Sequence, residues 1–262
     1  IQSTFTKFPY LRKVWQRNTE EERLLGVSLT GIYDNPLLTT QGQELNDLLA
    51  TLREEARKAN EEFAGLLGIP TSAAITCVKP SGTVSQLVDS ASGIHPRHSK
   101  YYIRRVRGDK KDPLTQFLIS QGIPNEPCVY KPDQTVVFSF PQKAPSGITR
   151  ADVSPISHLE LWLTYQREWC EHKPSVTISV EEHDWPSVGA WTWDHFSEIS
   201  GVSYLPYDGG TYRQAPYEEC TEEEYNELKA KIPTIQWEEF KEITDNVEGA
   251  QMLACTAGVC EI

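Results

Sequence analysis

The chain has 262 residues, 39% of them apolar and 24% charged, enough to bury a sizeable core in one large domain or two small ones. Its 37 acidic and 25 basic side chains leave a formal charge of -12, so no surplus of positive charge exists to hold a nucleic-acid backbone or an anionic membrane surface, and a small anionic ligand must be held locally. No apolar run of about 18 residues and no leading signal-peptide core occurs, which points to a cytoplasmic protein with neither membrane nor nucleic acid as partner.

In chain order, residues 24–32 (LLGVSLTGI) read as a buried strand closed by Tyr33, Asp34, Asn35 and Pro36. A long helix follows, with Thr40 and Gln43 as a capping box and Leu45, Leu48, Leu49, Leu52, Ala56, Ala59 and Phe63 at helical spacing, until Gly68 and Pro70 stop it. With the apolar, β-branched stretch 72–78 as a second strand, this is a β-α-β unit, which requires parallel strands.

The second strand runs into Pro80-Ser81-Gly82-Thr83 and straight on into a helical start at 83–88. Small hydroxyl residues crowd the place where unpaired backbone N–H groups and the positive end of the helix dipole favour a phosphate. The same turn is also satisfied as an ordinary N-cap without a ligand. It is not a nucleoside-triphosphatase loop, because no Gly-Lys-Ser/Thr follows and Lys79 precedes the turn.

Beyond it, residues 93–107 mix aromatics with four arginines and one lysine, which reads as a solvated edge. Residues 112–121 form a short helix, and 128–130 with 135–140 a hairpin across the turn 131–134. Ser154 as N-cap and Pro155 at the first helical position open a helix that Pro174 ends. Strands at 175–180 and 199–205 flank a tryptophan-rich helix at 185–196, and a charged helix spans 221–231.

The six cysteines show no C-x-x-C spacing, so neither a disulfide scaffold nor a structural metal is expected, and His95 with His98 lacks a patterned third ligand. Met252 is the sole methionine, so the chain is expected to be a piece of a longer polypeptide. Cys255 and Cys260 are separated by four residues in a small-residue tail that contains Gly258. In a reducing compartment such a pair reads as exchanging rather than structural, with two unrelated surface thiols as the other reading.

Several segments together resemble a known family: 20–32 (EEERLLGVSLTGI), 79–85 (KPSGTVS), 93–96 (GIHP) with 101–105 (YYIRR), 174–178 (PSVTI), 201–207 (GVSYLPY), 214–217 (QAPY) and Cys255-x4-Cys260. Nearly end to end, the chain is similar to adenosylcobalamin-dependent (class II) ribonucleotide reductases of the monomeric ribonucleoside-triphosphate reductase type. The resemblance implies the C-terminal part of a ten-stranded α/β barrel over 1–244, with a β-hairpin excursion at about 124–150 and a mobile redox-active tail at 245–262.

It further implies a substrate-phosphate loop at Ser81, Gly82, Thr83, Val84 and Ser85, and a disulfide shuttle at Cys255 and Cys260 recharged by a thioredoxin-like reductant. Ribonucleoside triphosphate is the implied substrate and adenosylcobalamin the implied cofactor, with contacts that cannot be placed on particular residues. No Asn-x-Cys-x-Glu segment of the kind that carries the family's thiyl radical occurs here. The radical cysteine and the two barrel-side reducing cysteines are therefore expected in a missing N-terminal portion, and this chain alone is expected to be inactive. Two other readings remain at this stage: a large-subunit fragment of an iron-dependent reductase, and a non-catalytic nucleotide-binding module.

Overall fold

The first strand-helix-strand segment forms with shorter strands, and the first strand is not the buried one expected at 24–32: Val27 and Ser28 are exposed, and burial begins only at Ile32 and Tyr33 beyond it. A computed structural model describes residues 1–79, 81–82, 84–145, 147–207 and 213–241, and the backbone of 255–256 and 259–260. The chain opens with α1 (Lys13–Glu22), β1 (Val27–Ser28) and the single turn α2 (Pro36–Thr39), capped by the Asn35 side chain, which accepts from Leu37 N at 3.0 Å. Helix α3 (Gln43–Leu67) starts at Gly42 with no side-chain cap. The expected capping box does not form, because Thr40 ends α2 and the Gln43 amide instead donates to Asp47 at 2.8 Å.

Gly68, at φ 64°, ends α3 in the left-handed conformation that glycine adopts most cheaply. Strand β2 (Thr76–Cys77) then pairs parallel with β1, Val27 opposite Thr76 and Ser28 opposite Cys77. Flanking bonds from Leu25 N to Ala74 O and from Leu29 N to Cys77 O prolong the alignment beyond the ladder. One helical turn, α4 (Val84–Leu87), follows.

The chain next forms β3 (Tyr101–Asp109), α5 (Pro113–Ser120), β4 (Asn125–Pro127) and β5 (Thr135–Lys143), then α6 (Pro155–Glu168), β6 (Thr177–Val180), α7 (Trp185–Asp194) and β7 (Ser203–Pro206). Strand β8 (Tyr217–Glu219) and α8 (Glu222–Lys231) complete the main part, and β9 (Cys255–Thr256) with β10 (Val259–Cys260) lie in the tail. These elements divide into two compact units: Ile1–Pro96 with Arg150–Pro206, and Arg97–Thr149 with Tyr207–Glu261.

In the first unit the core gathers around α6, whose Leu159, Trp162 and Tyr165 are fully buried. The polar ends of its large rings are satisfied: Trp162 Nε1 donates to Pro174 O at 3.0 Å and the Tyr165 hydroxyl to Leu38 O at 2.9 Å. Ser154 caps the helix through Ser157 N, as expected, and Pro155 follows it. Strands β6 and β7 pair parallel on either side of α7 in sequence, so the β-α alternation does return.

The second unit is an antiparallel sheet in the order β4-β5-β3-β8. This corrects the reading of 93–107 as a solvated edge, since β3 lies between β5 and β8 with Tyr101 and Tyr102 buried. The charge of its arginines is absorbed locally: Arg105 pairs with Glu218 at 2.5 Å, and the Arg104 guanidinium sits 4.3 Å from the Tyr217 ring centre. The hairpin forms one step earlier than expected, with Asn125–Pro127 as the strand and Cys128 closing it through a bond from its N–H to Thr135 O. At Gly108 a Cβ would lie 2.3 Å from Thr115 Oγ1, so only glycine lets α5 approach the sheet this closely.

Candidate functional site

Because β1 and β2 run parallel and in register, the loops that leave their carboxyl ends emerge side by side, the position at which α/β sheets receive ligands. The first loop brings Ser28 and Thr30, and the second brings Lys79, Ser81 and Gly82. They are tied together, with Lys79 N donating to Ser28 Oγ at 2.9 Å and the Thr30 and Ser81 hydroxyl oxygens 3.1 Å apart. A third segment, just after α4, closes over them: Ser81 N donates to Ser92 Oγ at 2.9 Å and Gly93 N to Thr30 Oγ1 at 2.9 Å. Gly93, at φ +57°, permits this approach, since a Cβ there would stand 3.1 Å from Lys79 O.

Within the expected phosphate loop the residues face different ways. Ser81 and Gly82 are partly exposed and Val84 is exposed, whereas Ser85 is fully buried and its hydroxyl donates back to the Ser81 carbonyl. Ser85 thus braces the turn from within. Thr83 lies outside the described residues. Of the amides leading into α4, Ser81 N is taken by Ser92 Oγ and Ser85 N by the Ser81 carbonyl. Thr30, Ser92 and Gly93 carried no pattern that marks them as site residues in the sequence, because their role depends on contacts between loops, 51 and 63 positions apart for Thr30 with Ser81 and Gly93 and 11 for Ser92 with Ser81.

His95 stands behind this assembly. Its Nε2 accepts from Thr177 N at 2.9 Å, so Nδ1 carries the proton and donates to Ser92 O at 3.0 Å. Burial lowers its pKa to about 4 and that of neighbouring His158 to about 3, which keeps both rings neutral. Both nitrogens of His95 are committed to backbone, and no group of three or more metal-ligating side chains exists among the described residues.

The thiols near the turn are quiet: burial pushes Cys170 up to about 12 and raises Cys77, against the lowering pull of Ser28 and Lys79. At Cys128 burial also raises the pKa, but the N–H groups of Tyr130 and Lys131 and the Arg107 guanidinium outweigh it and lower the value overall. In the tail, β9 and β10 pair antiparallel with Cys255 directly opposite Cys260. The rest of the expected mobile tail at 245–262 lies outside the described residues.

The parallel β1–β2 pair, the β-α alternation and the antiparallel sheet make this a mixed α/β protein. Its fold matches a crystal structure of a B-12-dependent (class II) ribonucleotide reductase with a TM-score of 0.76 and 25% identity, over 94% of this chain and 38% of that one. In sequence it is 31% identical over 254 residues to the adenosylcobalamin-dependent ribonucleoside-triphosphate reductase of Euglena gracilis, covering 94% of this chain and 35% of the relative. A Lactobacillus gasseri protein of the same name is 29% identical over 97% of the chain and 38% of its own length, and a Dictyostelium discoideum protein named as a probable reductase of this type is 31% identical over 90% and 31%.

No family model matches. The chain is a relative of the adenosylcobalamin-dependent (class II) ribonucleotide reductases, and it spans about a third of the length of the curated relatives it matches.

Proposed function

We propose that the protein carrying this chain is an enzyme that reduces ribonucleoside triphosphates to their 2'-deoxy forms, and that this chain supplies the substrate-phosphate turn and the reducing dithiol. In this reading the chain is the C-terminal part of a ten-stranded barrel, and the radical cysteine resides in the N-terminal portion. The observation that carries it is the hydroxyl-lined turn at the carboxyl ends of β1 and β2, in a chain that matches these reductases over nearly all its length. The donors there are small hydroxyls and backbone amides, sized for phosphate oxygens. The triphosphate is held by Ser81, Gly82, Thr83 and Val84, with Ser85 as a brace.

In the overall reaction the C2'–O bond breaks, the hydroxyl leaves as water and hydrogen takes its place at C2'. Two thiols supply the two electrons and become one disulfide. Thiol–disulfide exchange then passes that disulfide to Cys255 and Cys260, and a thioredoxin-like protein reduces it. The backbone register supports this role, because directly opposed residues of an antiparallel pair lie about 4.5–5.5 Å apart at Cα, within the roughly 4.4–6.8 Å that a disulfide spans.

Adenosylcobalamin is the cofactor of this reading. Its contacts are assigned to no particular residue of this chain, and no step here runs through it.

The test replaces both Cys255 and Cys260 by Ser in the complete protein. Turnover driven by a thioredoxin-type protein is expected to disappear while turnover driven by a small dithiol persists, and retention of both would refute the shuttle. For the turn, Ser81→Leu is expected to weaken binding of the triphosphate more than that of the unphosphorylated nucleoside. Equal weakening would refute a phosphate role.

A further inference from the structure

The hydroxyl of Thr30 makes contacts that reach every part of the turn's support. Its oxygen lies 3.0 Å from Ala91 O, 2.9 Å from Gly93 N and 3.1 Å from Ser81 Oγ. A threonine hydroxyl has one proton and two lone pairs. Ala91 O can only accept, so it takes the proton, and the Gly93 amide can only donate, so it takes one lone pair. The second lone pair remains for Ser81, which must therefore be the donor in the contact between the two hydroxyls.

Two consequences follow for the turn. Thr30 Oγ1 bonds the 91–93 segment at both ends, beside the bonds from Gly31 N to Ala91 O, Ile32 N to Gly93 O and Ala91 N to Asp34 Oδ2, and that same segment holds the start of the turn through Ser92 Oγ and Ser81 N. The Ser81 proton is parked on a neighbour that does not depend on it, since Thr30 keeps its bonds to Ala91 and Gly93 when Ser81 rotates away. Ser81 can thus hand its proton to a phosphate oxygen without leaving a buried group unpaired, which is the costly outcome at such sites.

We propose that Thr30 is a positioning residue for the phosphate turn, clamping the 91–93 segment and holding the Ser81 hydroxyl ready to donate to a triphosphate oxygen. This rests on the phosphate role of the turn. It adds to that role a residue from the first strand's loop, about fifty residues upstream.

The experiment compares Thr30→Val, which keeps the shape and removes the hydroxyl, with Thr30→Ser, which keeps the hydroxyl, in the complete protein. The readouts are KM and kcat for a ribonucleoside triphosphate and the Kd of inorganic tripolyphosphate. Thr30→Val is expected to raise KM and the tripolyphosphate Kd about tenfold, the loss of roughly one hydrogen bond, with kcat within about twofold of the parent. Thr30→Ser is expected to restore both.

In a Ser81→Ala background Thr30→Val should lose part of its effect, the part carried by the contact between the two hydroxyls, while the part carried by the clamp on 91–93 remains. An unchanged KM in Thr30→Val, a Thr30→Ser variant as weak as Thr30→Val, or full additivity with Ser81→Ala would overturn the assignment of Thr30. A parent protein that binds tripolyphosphate no better than sulfate would overturn the phosphate role itself and Thr30 with it.

Discussion

At the scale of single residues, the buried imidazoles of His95 and His158 tie stability to acidity. Their rings lie 6.1 Å apart, and Tyr33 faces His158 at 5.5 Å, so the groups packed against the pair are uncharged at neutral pH. The folded pKa values, about 4 and about 3, lie below the ordinary 6.5, so between these limits the unfolded chain binds protons that the folded chain refuses. Stability is therefore complete above about pH 6.5 and declines as the pH falls towards 4, with both rings contributing to the loss. Urea titrations at pH 7 and pH 4.5 check this, with a His95→Gln, His158→Gln double variant expected to show a shallower acid loss than the parent. Gly93→Ala tests the backbone at the same place: its left-handed φ and the nearby Lys79 carbonyl predict a loss of about 1–2 kcal/mol in a thermal melt.

At the scale of elements, α3 shows how far periodicity can be trusted. The apolar spacing located the helix and Gly68 located its end, yet Leu45, Leu49 and Ala64 are buried while Leu48, Leu52 and Phe63 are exposed. Leu49→Ala is accordingly expected to cost about 2–5 kcal/mol and Leu52→Ala less than about 1, a contrast that denaturant midpoints resolve. Helix α8 obeyed local rules more fully. Thr221 and Glu224 form a reciprocal capping box, so Thr221→Ala is expected to cost about 1 kcal/mol and to raise hydrogen exchange in the first turn of α8.

At the scale of the whole molecule, the two units have separate apolar cores, one around α6 and one built on Ile123, Val136 and Phe138. A core substitution should therefore be felt first in its own unit. Phe138→Ala is expected to cost about 3–5 kcal/mol and to accelerate amide exchange in β3 and β5 more than in α6, whereas a uniform acceleration would show that the chain unfolds as one cooperative body. No described helix is long and apolar enough to cross a membrane.

Much of this architecture was legible residue by residue. Proline and glycine punctuation, the Ser154 cap, the charged helix at 221–231, the parallel β-α-β unit and the turn at 81–85 all follow from interactions within a few positions or from a repeat of fixed period. What local pattern could not disclose was the central place of β3, the burial of Ser85 or the clamp at Thr30. Each of these depends on which distant segment arrives alongside: β5 and β8 for the arginine-rich strand, and the 91–93 segment for Thr30. A hydroxyl on an isolated strand can give or take a proton. Only the positions of Ala91, Gly93 and Ser81 around Thr30 decide which it does, because a single proton must be shared among partners brought together by folding.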